Sequence, residues 1–327
     1  MRSSLFTEML CDEVSEILRL HQVPGVALAI VREFAVVQSI ALGMRNTGTR
    51  APMGSRSIFE AYSLTKPLVA YRALQMSEAG LLDLDAPFED GLFANTGMLD
   101  KRLRLITPRM VLSHISGLSD SDGGAGLSFS PGSNWQYSTQ GYEILQHAID
   151  RISRVPFDEN MMGNVLRPLS MKASSFVWQD RMAPLMAQCH GTNGESIDDR
   201  RLSVPDADSL LTTAGDYALF LASCLRSMHS GSIGVRMGEP QVSLGENQCW
   251  GMGWGIEVTP AGSILWHIGG GAGAPFQNFV LGDPPTGNGI VMLTNGVRGG
   301  AIFEPVLALI DPRRFSLFAF IKNPFHK

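Results

Sequence analysis

A serine and a lysine, Ser63 and Lys66, stand three residues apart at the start of an apolar segment that predicts a helix. One helical turn is about 3.6 residues, so both side chains would lie on one face with the hydroxyl within reach of the amine. A serine hydroxyl is a weak nucleophile and needs a neighbouring base. A lysine whose ammonium is destabilised by burial can supply that base near neutral pH. Because this spacing also occurs by chance at polar helix starts, other segments must support it.

A second segment with suitable polar groups is the loop at residues 131–139, which places Tyr137 next to Ser138 and Thr139 at a predicted helix start. One of the two hydroxyls would cap the helix, and the phenol could act as a second acid or base. An aromatic anchor beneath a helix cap is the alternative interpretation of Tyr137.

A third segment ends a predicted strand with His267, Ile268, Gly269 and Gly270. Because the side chains stop at Gly269, a substrate could approach the backbone closely at this point. The N–H of Gly270, together with that of Ser63, could then bind a developing oxyanion. His267 alone is a weak indication, since single histidines near a strand are commonly structural.

The elements around these residues fall into an arrangement of strands at both chain ends with helices between them. A helix at residues 8–21 and strands at 26–31 and 35–41 come first. Further helices are predicted at 68–79, 107–114, 140–153, 157–166, 217–228 and 301–310, the last interrupted near Pro305, and further strands at 250–258, 263–268, 276–281 and 289–294. This order predicts an α/β (α+β) protein with one antiparallel sheet built from both chain ends and flanked by the first and last helices. The expected division is a sheet lobe (1–66 and 206–312), an inserted, mostly helical lobe (67–205) and a tail (313–327).

Composition excludes several classes of partner. The 327 residues are 44% hydrophobic and 17% charged, which indicates a globular protein with a large core. A net charge of −5 argues against attraction to nucleic acid or anionic membranes, and no run approaches the roughly 20 apolar residues of a membrane-spanning helix. Acidic residues interrupt positions 1–13, so no signal peptide is expected and a cytoplasmic location is predicted. Four cysteines without metal-type spacing predict neither a disulfide framework nor a metal site.

Taken in order, these segments resemble the superfamily of serine β-lactamases and penicillin-binding proteins, on the side of the class C β-lactamases and the related family VIII carboxylesterases. The resemblance extends from about residue 14 to residue 311. It is carried by eight segments: 23–27 (VPGVA), 59–66 (FEAYSLTK), 106–118 (ITPRMVLSHISGL), 131–138 (PGSNWQYS), 141–142 (GY), 168–171 (PLSM), 217–220 (YALF) and 267–271 (HIGGG).

The resemblance implies acyl transfer in two halves without a metal or organic cofactor. Ser63 would be the acylated nucleophile, Lys66 its proton acceptor, and Tyr137 the group that shares the proton with Lys66 and the leaving group. The oxyanion would lie between the N–H groups of Ser63 and Gly270, and water would complete the cycle.

Two positions depart from the lactamase pattern. His267 stands where those lactamases usually have the lysine of a Lys-Thr-Gly triad, and Thr139 where they often have asparagine. These two residues, with Ile268 and Gly269, are the predicted substrate contacts. The loss of the lysine charge predicts small uncharged esters rather than penicillins as substrates.

Other functions stay open at this point. In the same chemistry, the chain could be a peptidase or amidase for D-amino-acid substrates, or a weak β-lactamase. An acyltransferase and a non-catalytic binding protein are further alternatives, the second disfavoured because Ser63, Lys66 and Tyr137 are all present. The apolar tail suggests a homodimer contact or lid, or else a segment packed on the body.

Overall fold

The computed structural model describes residues 8–93, 100–120, 126–197, 208–271 and 273–322. The helices are α1 Glu8–His21, α2 Thr65–Glu78, α3 Pro108–Leu112, α4 Thr139–Ser153, α5 Phe157–Met161, α6 Ala214–Ser230, α7 Ser232–Gly238, α8 Phe303–Ile310 and α9 Leu317–Lys322. The strands are β1 Gly25–Arg32, β2 Ala35–Asn46, β3 Ala51–Pro52, β4 Phe59–Glu60, β5 Cys189–His190, β6 Ser196–Ile197, β7 Leu211–Thr212, β8 Val242–Gly245, β9 Gln248–Trp250, β10 Gly255–Thr259, β11 Gly262–Gly269, β12 Gln277–Asp283 and β13 Asn288–Thr294. No helix within these ranges is both long enough and apolar enough to cross a bilayer.

The described residues form one large antiparallel sheet from strands of both chain ends. Its order is β3-β2-β1-β13-β12-β11-β10-β9-β8. The first strand of the chain pairs with the last, so that Val26 lies opposite Thr294. The mixed α/β class and the sheet built from both ends are therefore confirmed.

Helices cover both faces of this sheet, and for this reason β1 is buried along nearly all its length. Successive side chains of a strand point to opposite faces. Ala27 and Ala29 accordingly join the core beneath α2, α4 and α6, whereas Val26 and Leu28 join the core beneath α1 and α8. Burial on both faces explains why β1 is a continuous apolar run rather than an alternating one.

Two element predictions differ from the structure. The single strand expected at residues 250–258 is instead a hairpin of β9 and β10, closed by a tight turn. In that turn the Gly251 N–H donates to the Trp254 carbonyl (2.8 Å), and Gly253 has a φ of +92°, which favours glycine. Pro305 does not interrupt α8, because it lies in the first turn, where a backbone N–H has no partner within the helix.

The described part of the tail, residues 313–322, packs on the body of the protein. Leu317 and Phe318 of α9 are buried in the core beneath α1 and α8. The ring of Phe320 lies 6.2 Å from that of Trp135 and 5.8 Å from that of Trp266, measured between centroids. The alternatives for this segment were a homodimer contact, a lid or a segment packed on the body, and the observed packing favours the last.

Candidate active site

The predicted nucleophile lies in a short 3₁₀ turn, Tyr62–Leu64, that leads directly into α2. Tyr62 has a φ of +48°, in the left-handed region that bulky residues rarely adopt. Lys66 is fully buried in the first turn of α2. Its Nζ donates a hydrogen bond of 3.0 Å to Ser63 Oγ. The hydroxyl and the amine therefore meet as their spacing predicts.

Buried hydrogen bonds from the sheet lobe hold this turn in place. The hydroxyl of Tyr217, on α6, donates to the Leu64 carbonyl at 2.8 Å. The side-chain amide of Asn278, on β12, donates to the Glu60 carbonyl at 2.9 Å. Because both hydrogen bonds are buried, the loss of either one would lower the free energy of unfolding.

Asp208 contacts both members of the pair and was missed by the sequence analysis. Ser63 Oγ donates to Asp208 Oδ1 at 3.1 Å, and Lys66 Nζ donates to the same oxygen at 2.6 Å. The backbone brings it there, because the Leu210 carbonyl accepts from the Ala61 N–H at 2.8 Å. Asp208 precedes β7, and it has no local motif that would have identified it.

The charge state of Lys66 follows from this contact. Burial would lower the pKa of the ammonium, but the Asp208 carboxylate, with a smaller contribution from Tyr137, raises it above its ordinary value. This carboxylate opposes the expectation that burial makes Lys66 a base near neutral pH, and the role of Lys66 as proton acceptor stays a prediction. The expectation considered burial alone, because Asp208 is 142 residues away along the chain.

Tyr137 lies beside the pair. Its ring centroid is 5.4 Å from Lys66 Nζ, and its phenol oxygen is buried. The ring stacks against that of His114 at 4.2 Å between centroids. Burial raises the pKa of Tyr137, and the nearby Lys66 charge offsets only part of this rise, so the phenol is protonated at neutral pH. Ser138, not Thr139, caps α4, since its Oγ accepts from the Gly141 N–H at 3.0 Å.

The end of β11 packs against the nucleophile turn. A Cβ on Gly269 would overlap the carbonyl oxygen of Ala61, so a glycine allows the close approach. Gly270 follows with a φ of +79°, which turns the chain away from the strand. The predicted oxyanion site formed by the N–H groups of Ser63 and Gly270 lies in this region and stays a prediction.

The other predicted substrate contacts differ in position. His267 is fully buried 6.1 Å from the Tyr137 ring, and its Nδ1 lies 2.8 Å from the Ile268 carbonyl oxygen. Burial lowers its pKa to about 3, so the ring is neutral at physiological pH. The Ile268 side chain packs on the opposite face of β11, against the core beneath α1 and α8. Thr139 is the first residue of α4, and its N–H donates to Asp120.

A serine and a lysine at the start of a helix, beside the end of an inner strand of an antiparallel sheet and a tyrosine that precedes another helix, define the class of serine hydrolases with the β-lactamase fold. The chain belongs to the Beta-lactamase family, because the sequence model of that family matches residues 12–310. The family resemblance seen in the motifs is thereby confirmed.

Curated relatives include esterases and penicillin-binding proteins. The chain is 28% identical over 192 residues to Esterase EstB of Burkholderia gladioli, which is 49% of each chain. It is 25% identical over 223 residues to Penicillin-binding protein 4 of Amycolatopsis lactamdurans, which is 62% of this chain and 56% of the relative. The chain thus spans about half the length of the curated relatives it matches.

Solved structures share the fold at lower identity. An octameric penicillin-binding protein homologue from Pyrococcus abyssi has a TM-score of 0.79 and 21% identity over 92% of this chain and 76% of that one. D-alanine carboxypeptidase AmpC from Burkholderia cenocepacia has a TM-score of 0.76 and 18% identity over 90% of this chain and 97% of that one. At these identities the similarity shows the fold alone.

Proposed function

We propose that the protein is an esterase that hydrolyses small, uncharged acyl esters through an acyl-enzyme on Ser63. The observation that carries this proposal is the pairing of Lys66 with Asp208 at 2.6 Å. A β-lactam or a peptide ending in a D-amino acid presents a carboxylate, which is best bound by a cation. At this site Lys66 is already paired and His267 is neutral. An uncharged ester needs no such cation.

The geometry supports acyl transfer with Lys66 in an electrostatic role. Ser63 Oγ would attack the ester carbonyl while the Lys66 ammonium, which already donates to this oxygen, stabilises the negative charge that develops on it. The oxyanion would lie between the N–H groups of Ser63 and Gly270, and one such donor is worth about 3 kcal/mol. The neutral phenol of Tyr137 would stabilise the leaving oxygen by a hydrogen bond, without giving up its own proton. Water then releases the acid.

The relatives are compatible with the ester substrate and keep one alternative open. Similarity to Esterase EstB supports the proposal, and similarity to a penicillin-binding protein leaves the peptidase or amidase for D-amino-acid substrates as the alternative. The acyltransferase and the binding protein have no specific observation in their favour. The substrate of the first half-reaction therefore decides between the two leading candidates.

A substrate panel with a covalent serine probe tests the proposal. p-Nitrophenyl acetate and butyrate should be hydrolysed faster than nitrocefin or a D-alanyl-D-alanine peptide. A fluorophosphonate should modify the peptide that contains Ser63, and Ser63→Ala should abolish both the adduct and the hydrolysis. Ser230→Ala, which removes an exposed hydroxyl at the end of α6, is the control. Faster turnover of nitrocefin would refute the esterase, and the absence of an adduct would favour a binding protein.

A further inference from the structure

The hydrogen bonds around Ser63 have one consistent arrangement. A lysine ammonium can only donate hydrogen bonds, so Ser63 Oγ must accept from Lys66 Nζ at 3.0 Å. The hydroxyl has one hydrogen of its own, and it donates this hydrogen to Asp208 Oδ1 at 3.1 Å. The proton that Ser63 must lose is therefore already directed at a carboxylate.

The other neighbours of Ser63 are much weaker bases than a carboxylate in the protonation states that they hold. Lys66 is held as an ammonium, and Tyr137 is held as a neutral phenol. Neither is a base until it loses a proton itself. This leaves the carboxylate as the base among the described groups that contact the hydroxyl.

We infer that Asp208 is the catalytic base of the reaction, with the Lys66 ammonium as its electrostatic partner. This inference rests on the acyl-enzyme function proposed above. It changes the assignment that the Ser-x-x-Lys spacing suggests, because the lysine stabilises charge and the aspartate moves the proton.

The proton balance closes over the two halves of the reaction. In acylation the O–H bond of Ser63 breaks, its proton passes to Asp208 Oδ1, and the Oγ electron pair bonds to the carbonyl carbon while the π pair moves onto the carbonyl oxygen. When the intermediate collapses, the bond to the leaving alcohol breaks and the alkoxide takes the proton from Asp208. In deacylation a water gives a proton to Asp208 and attacks. Ser63 Oγ then leaves with that proton, which restores the starting state.

The position of Asp208 suits a base that serves both halves. Its side chain is 27% exposed, whereas that of Lys66 is fully buried, so the carboxylate can be reached by solvent. The hydrogen bond from the Ala61 N–H to the Leu210 carbonyl holds the segment that carries the carboxylate next to the nucleophile turn. The described charged or titratable groups that act on Lys66 are Asp120 and the protonated Tyr137, together with His114, His267 and Tyr142. A carboxylate is a weaker base than an imidazole, and the Lys66 charge compensates by stabilising the alkoxide.

Asp208→Asn tests the assignment, because it keeps the shape of the side chain and removes its basicity. The second-order rate of fluorophosphonate labelling and kcat/KM for p-nitrophenyl butyrate should fall by about 10²–10⁴-fold. In the pH profile of kcat/KM for this variant, the residual activity should rise only as Lys66 loses its proton. Asp208→Glu, which restores a carboxylate, should recover at least part of the rate.

Asp120→Asn is the matched control for charge. It removes a negative charge that acts on Lys66 but leaves the groups that contact Ser63 unchanged, and its carboxylate accepts from the N–H groups at the start of α4. A merely electrostatic role for Asp208 predicts similar losses in both variants. Equal or faster labelling of Asp208→Asn, with wild type labelled, would overturn the base assignment alone. A wild-type protein that is neither labelled nor active on esters would overturn the proposed function as well.

Discussion

Replacing Gly269 by alanine tests whether the end of β11 sets the position of the nucleophile. The new Cβ would overlap the carbonyl oxygen of Ala61 and lie 3.1 Å from Leu64 Cγ. These two residues flank the Ser63 turn, and a backbone oxygen cannot rotate away as a side chain can. The strand or the turn must therefore move by about 1 Å to restore ordinary contact distances.

The expected effect is larger on the reaction than on the fold. A misplacement of about 1 Å at a reacting group costs roughly 10²-fold in rate. Overpacking of this kind typically costs about 1–3 kcal/mol in the free energy of unfolding. Gly269→Ala should consequently stay folded at room temperature while kcat/KM for p-nitrophenyl butyrate falls about a hundredfold.

Gly271→Ala is the control for this substitution, because a Cβ at that position meets no atom within 4 Å. Both variants are compared with wild type by fluorophosphonate labelling rate, by kcat/KM and by the midpoint of urea unfolding. If Gly269→Ala is labelled as fast as Gly271→Ala, the strand does not hold the turn in its reactive position. That result would refute the argument from close packing.

Three further predictions concern stability. Tyr217→Phe removes a buried hydrogen bond of 2.8 Å to the nucleophile turn and should lower the free energy of unfolding by about 1–3 kcal/mol in urea titrations, and an unchanged midpoint would contradict this. His267 has a pKa of about 3 in the folded protein against an ordinary 6.5, so its contribution to stability is complete above pH 6.5 and is lost as the pH falls towards 3. His267→Asn should thus reduce the slope of the unfolding free energy against pH, between pH 6.5 and 5, by up to about 1.4 kcal/mol per pH unit. Asp150, whose pKa is raised to about 6, contributes a slope of the opposite sign, but it does so in both proteins and drops out of the comparison with wild type. Truncation after Pro312 should lower the urea midpoint, because Phe318 would no longer cover the core, and size-exclusion chromatography would show whether assembly also changes.

Much of the architecture could be predicted because it is specified locally. The apolar run of β1 and the turn residues between the last strands indicate a sheet from both chain ends, and the structure has that sheet. The distance of 3.0 Å between Lys66 Nζ and Ser63 Oγ follows from helical spacing. Tyr137 was identified through its motif, and the loop at 131–139 does bring its ring beside Lys66.

The rest depends on contacts between distant segments. The hairpin of β9 and β10 was read as one strand, because an apolar run does not reveal a turn whose geometry rests on Gly253. Asp208 reaches Ser63 only through the pairing of β4 with β7, across 145 residues of chain. The hydrophobic periodicity of a short stretch of sequence does not indicate such a long-range contact.

The protonation state of Lys66 shows how one such contact decides the chemistry. Burial alone would favour the neutral amine, and a neutral amine beside Ser63 would be the base. A carboxylate at 2.6 Å reverses this balance and fixes the ammonium. The proposed base is then the carboxylate itself, which already accepts the hydrogen bond of Ser63 Oγ. The same Ser-x-x-Lys spacing is therefore compatible with two routes for the proton, and the side chain that precedes β7, not the motif, selects between them.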